Sequence, residues 1–188
     1  MNGLQNATSS LYGAYRLACM DAGGLRFFDA SLKGFWRSFS AAVIVAPFYA
    51  ILLGMRYGAG EVATPVWRYA IIETIAYIIA WLAFPVLMES LSRGMDRRSH
   101  YLGYIVAYNW AGVLQNSLYL PLAMLSVTGT ISPDAASFFS LAILSAVMFY
   151  TWFITKTAMA LTAGAAAGVI AMDFALSLFI NAYAESLL

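Results

Sequence analysis

Apolar residues fill five long stretches of this chain, and polar residues collect in the short connections between them. A run of about twenty apolar residues is long enough to cross the hydrocarbon core of a bilayer as a helix. The pattern predicts spans over about 39–55, 66–88, 101–127, 135–155 and 164–184. Pro47, Pro85 and Pro121 fall inside the first three, where neighbours must satisfy the carbonyl each proline frees. The expected fold is an all-α integral membrane protein of five transmembrane helices, 39–188, behind a cytoplasmic or interfacial segment, 1–38.

The leading segment has a different rhythm. From Thr8 to Ala22, Leu11, Tyr15, Ala18 and Cys19 recur at helical spacing, and Gly23-Gly24 then breaks the run. A second piece sets Leu25, Phe28, Leu32, Phe35, Trp36 and Phe39 against Arg26, Lys33 and Arg37, with Asp29 as its expected cap. Aromatic residues opposed by basic ones suit an amphipathic helix lying at the headgroup level. A helix packed on the cytoplasmic end of the bundle is the alternative. No compact apolar core with a cleavage site precedes the first span, which is expected to act as an uncleaved insertion signal.

Composition strengthens the membrane reading. Of 188 residues 62% are hydrophobic and 10% charged, whereas a soluble domain has roughly a quarter of its residues charged. A net charge of +1 gives no bulk attraction to nucleic acid. The single cysteine, Cys19, excludes an internal disulfide and a multi-cysteine metal site, and His100 stands alone. No phosphate-cradling loop, nucleophile elbow or paired-carboxylate motif is present, so neither an enzyme nor a bound cofactor is expected.

Charge also orients the chain. Arg16, Arg26, Lys33, Arg37, Arg93, Arg97, Arg98 and Lys156 fall on one side, against Arg56 and Arg68 on the other. Basic residues stay in the cytoplasm. The expectation is a multi-pass protein of the bacterial inner membrane, with its N-terminus cytoplasmic and its C-terminus periplasmic.

Polar groups inside the spans are the candidates for chemistry, because an ionisable side chain among lipid tails has a partner or a task. Glu73 lies in an i+4 series with Tyr69, Tyr77 and Trp81, whose tyrosine hydroxyls, or else Arg68 or a basic residue from another helix, would satisfy it. Asp173, Ser177, Asn181 and Glu185 form a stripe at the same spacing along the last span. Such a stripe either lines a proton or solute path or supplies interhelical hydrogen bonds, and the second is the preferred reading. Span three carries Asn109, Gln115 and Asn116 among its tyrosines, so spans two, three and five are expected to share a polar interior. Gly164 and Gly168 form a small-xxx-small surface for close helix packing. Arg93, Arg97 and Arg98 could hold anionic lipid headgroups, although topology alone explains them equally well.

An amphipathic tail followed by five closely spaced spans resembles the Yip1-like superfamily in its bacterial branch. Gly34-Phe35-Trp36-Arg37-Ser38-Phe39 before span one and Tyr108-Asn109-Trp110 in span three carry the likeness. The Asp-Leu-Tyr-Gly-Pro pattern of eukaryotic members is missing. The resemblance implies a membrane-organising or accessory protein and brings no catalytic residue. The functional expectation is therefore a non-enzymatic scaffold or accessory subunit, whose partners are the lipid bilayer and a homo-oligomer or larger membrane complex. The alternative is a small transporter or proton-coupled permease using Glu73 and Asp173.

Overall fold

The computed structural model describes residues 3–188, which form α-helices and short 3-10 turns with no strand among them. The helices are α1 (Gly3–Ala18), α2 (Leu32–Ser38), α3 (Ser40–Gly58), α4 (Val66–Gly94), α5 (Tyr101–Val127), α6 (Pro133–Ala158) and α7 (Ala163–Ser186). Among the described residues four segments are long and apolar enough to cross a membrane: Leu32–Gly58, Val66–Gly94, Pro133–Ala158 and Ala163–Ser186. The fifth expected span, α5, is a continuous helix that falls outside this set. Its tyrosines and amides lower its hydropathy because α5 is the inner helix, packed by α1, α2, α3, α4 and α6.

Local sequence explains the helix ends. Ser31, Ser132 and Thr162 cap α2, α6 and α7 by accepting the backbone N–H three residues on, and Pro133 occupies the first turn of α6. Asp29, the expected cap, lies outside the helix. Its carboxylate accepts the Ser31 N–H at 3.0 Å, and the Ser31 hydroxyl and this N–H hold it below the usual carboxylate range.

The N-terminal segment is packed into the bundle rather than laid beside it. In α1, Ala14 and Leu17 are fully buried and Ser10 nearly so, while Tyr15, Ala18 and, just past the helix end, Cys19 are exposed. The buried face is thus rotated from the one the apolar spacing predicts. Glycines decide it: a Cβ on Gly13 would lie 2.9 Å from the Gly24 carbonyl oxygen, so α1 and the turn Ala22–Phe27 cross backbone against backbone. Tyr150 of α6 donates its hydroxyl to the Ala14 carbonyl at 2.7 Å, and Arg16 closes on Asp21, holding that carboxyl below its usual range. In α2 only Phe35 of the predicted apolar face is buried, and Leu32 and Trp36 are exposed.

Burial is uneven along the bundle. One cluster joins Ala14, Leu17, Phe35, Phe84, Met88, Tyr104, Ile105, Trp110, Ile154 and Val169 at the end that carries α1 and α2. At the opposite end the cluster is Val45, Leu52 and Leu120.

Candidate functional site

Both acids predicted from the sequence are held by a tyrosine of another helix. Tyr108 of α5 donates to the Asp173 carboxylate of α7, lying 3.0 Å from each oxygen. Tyr49 of α3 donates to Glu73 Oε2 of α4 at 2.8 Å, and Glu73 is 7% exposed. None of the partners expected for Glu73 bonds it. Tyr77 donates to the Ala42 carbonyl at 2.7 Å, the buried Tyr69 hydroxyl has no partner, and Arg68 reaches the Leu187 carbonyl at 2.7 Å. Helices α3 and α4 meet here through their tyrosines: Tyr49 stacks on Tyr77 with ring centres 5.0 Å apart, and Tyr57 on Tyr69 at 5.9 Å.

The amides of α5 divide between neighbours. Asn109 is fully buried and donates through Nδ2 to Ser38 Oγ at 2.8 Å, leaving its Oδ1 without a partner. The two segments Gly34–Phe39 and Tyr108–Trp110 therefore touch. Gln115 donates to Thr151 Oγ1 of α6 at 2.9 Å. Tyr104 lies 3.0 Å from Thr155 Oγ1, and since Thr155 gives its own proton to the Thr151 carbonyl, Tyr104 is the donor. Asn116 turns back to the Gly112 carbonyl of its own helix.

The stripe on α7 does not stay on one face of the bundle. Asp173 is half-buried, but Ser177 and Asn181 are exposed, and Asn181 bonds the Ser177 carbonyl. Each four-residue step turns about 40° round a helix, so three steps carry the stripe well off the inward direction. Gly164 and Gly168 do not pack: a Cβ on either would meet nothing within 4 Å. The contact face of α7 is formed by Ala166, Val169 and Ile170 on the opposite side of the helix. Of the three link arginines, Arg93 is paired with Glu89, Arg97 donates to the Asp96 carbonyl and Arg98 is exposed.

Tyr49 and Tyr108 also line one cleft of about 220 Å³, shared with Tyr77, Trp81, Gln115 and Asn181. A cleft between α3, α4, α5 and α7 is thus lined by both tyrosines that hold the acids. Tyr49, Ser38, Thr151 and Thr155 were not legible as partners, because a lone hydroxyl in an apolar run carries no periodic signal. Comparison with known protein families, with curated proteins and with solved structures finds no match.

Proposed function

We propose that this chain is a non-enzymatic, five-span protein of the bacterial inner membrane, acting as a scaffold or accessory subunit through helix packing. Its outer surface supports the membrane part of the reading. Only 17–22% of the residues in the four apolar windows are buried, and Val43, Phe48, Ile75, Val86, Leu141 and Phe179 are exposed. Water does not tolerate an apolar surface of this extent on a monomer. Helix α5 completes the five, with Tyr104, Tyr108, Asn109 and Gln115 turned toward its neighbours. The excess of basic residues on one side supports an N-terminus inside and a C-terminus outside, and the resemblance to the Yip1-like layout supports the same class of role.

One observation carries the scaffold reading: each embedded acid is committed to a hydroxyl from another helix, as an interhelical fastener is. The test replaces Glu73 with Gln and Asp173 with Asn, then measures folded yield and proton or solute flux in vesicles. Reduced yield without any flux in the wild type is the expected result. The cleft between the two tyrosines favours a second reading, a proton or solute path, which predicts wild-type flux that these substitutions abolish at normal yield.

A further inference from the structure

Three cavities run end to end from the N-terminal segment down the groove between α3 and α5. The first, of about 470 Å³, is bounded by Ser9, Arg26, Asp29, Lys33 and Arg37. The second, of about 520 Å³, shares Ser10, Asp29 and Arg37 with it and continues past Trp36 to Ile44 and Trp110. The third, of about 230 Å³, shares Ile44 and passes Phe48 and Leu120 to Met124. Polarity falls steadily along this path, from a basic chamber to an almost wholly apolar slot.

We propose that this path is a binding site for one anionic glycerophospholipid, with its phosphate among Arg26, Lys33 and Arg37 and one acyl chain along the α3–α5 groove. Three cations line the chamber with a single carboxylate, Asp29, which its Ser31 bonds keep occupied; Asp21, which also acts on Arg26, lies outside the lining and is closed on Arg16. Lys33 and Arg37 have no ion-pair or hydrogen-bond partner among the described residues, and Arg26 spends only Nε, on the Gly23 carbonyl. Arginine and lysine so placed suit a phosphate diester.

The dimensions agree with a lipid rather than a free anion. From Val106 to Leu120 the groove follows α5 for fourteen residues, about 21 Å at 1.5 Å per residue, which exceeds half of a ~30 Å hydrocarbon core. Trp36, 65% exposed, stands beside the second cavity, where an indole belongs at the membrane surface. The chamber also lies on the side that gathers the basic residues, which is where anionic headgroups attract them. The link arginines Arg93, Arg97 and Arg98 contribute nothing to it.

The proposal rests on the membrane reading above, and its test separates the two. The full chain, purified in detergent, is examined by native mass spectrometry with phosphatidylglycerol or phosphatidylcholine. Phosphatidylglycerol is expected to stay bound at least tenfold more than phosphatidylcholine, with no competition from inorganic phosphate. Arg37→Gln, an exposed position, should weaken it about fivefold, the equivalent of roughly 1 kcal/mol per basic residue. Removing all three charges should abolish the preference, and Ile44→Trp should lower retention of both lipids by filling the groove. Arg93→Gln with Arg97→Gln and Arg98→Gln should change nothing. Equal retention of the two lipids, displacement by phosphate alone, or loss through the link arginines instead would overturn the site. An alkaline wash that strips the chain from membranes would overturn the membrane reading itself.

Discussion

At the basic end of the bundle, Tyr104, Ile105, Ala107, Ala111, Ile154 and Met159 are wholly shielded, and α1 adds Ala14 and Leu17 to the same core. At the opposite end, three buried residues form the only comparable cluster among the described residues, and clefts open beside Gln115, Asn116 and Phe48. The difference comes from how much chain is present. The N-terminal segment folds back on one end alone, and there α5 offers small residues for close approach. Before Gly112, whose Cβ position lies 3.1 Å from the Trp81 ring, α5 has seven of its eight buried residues; beyond it only Leu120 is buried. Between lipid and protein there is little hydrophobic driving force, so packing of this kind decides stability. One end holds the main shielded core, with the basic cavities lying outside it against α1 and α2; at the other end the clefts lie between the long helices themselves.

The largest test of this contrast deletes apolar volume at each end. Ile154→Ala, at a position with no exposure, should cost about 2–4 kcal/mol in reversible unfolding from detergent micelles. Leu52→Ala should cost less, about 2 kcal/mol, because it belongs to a cluster of only three buried residues. Equal costs would remove the asymmetry.

The two acids sit on either side of this division and sharpen it. Tyr108 holds Asp173 beside the main core, with the Phe84 ring 4.6 Å from its own. Tyr49 holds Glu73 at the open end. Tyr49→Phe and Tyr108→Phe should each cost about 1–2 kcal/mol, by leaving a carboxyl without its donor. Glu73→Gln should cost less than Tyr49→Phe, since an amide oxygen still accepts the hydroxyl. A double-mutant cycle across each pair measures this, and a coupling near zero would show that the bonds fasten nothing.

The apolar runs made the helices and their links legible, and α5 is found at 101–127 as the spacing predicts. Periodicity could not tell which helix lies inside. Five apolar stretches look alike in sequence, and only the tyrosines and amides of α5 hinted that it had neighbours to satisfy. The acids were visible because a charge in an apolar run is conspicuous; their partners were not, because a tyrosine there is ordinary. The orientation of α1 was misread for a related reason. Its contact face is set by Gly13 and Gly24, whose lack of a side chain leaves no trace in a hydrophobic pattern.

The turns that end the helices give the finest comparison of the two ends. At the open end α3 and α5 finish on left-handed glycines, Gly60 at φ 77° and Gly129 at φ 67°. At the basic end the same left-handed position after α1, α4 and α6 is filled by Met20, Asp96 and Ala160, at φ 59°, 57° and 50°. A residue with a Cβ pays roughly 1 kcal/mol or more for this conformation. The backbone there is nonetheless held, with the Leu161 N–H donating to the Lys156 carbonyl at 3.1 Å. The dense packing around Met159, which has no exposure, can enforce a turn that the open end leaves to glycine. Ala160→Gly should therefore raise stability by about 1 kcal/mol, while Gly60→Ala should lower it by a similar amount. Both are read as midpoint shifts in the same unfolding assay. If Ala160→Gly were neutral, the turn after α6 would hold no strain, and tight packing would not be what sets the two ends apart at their turns.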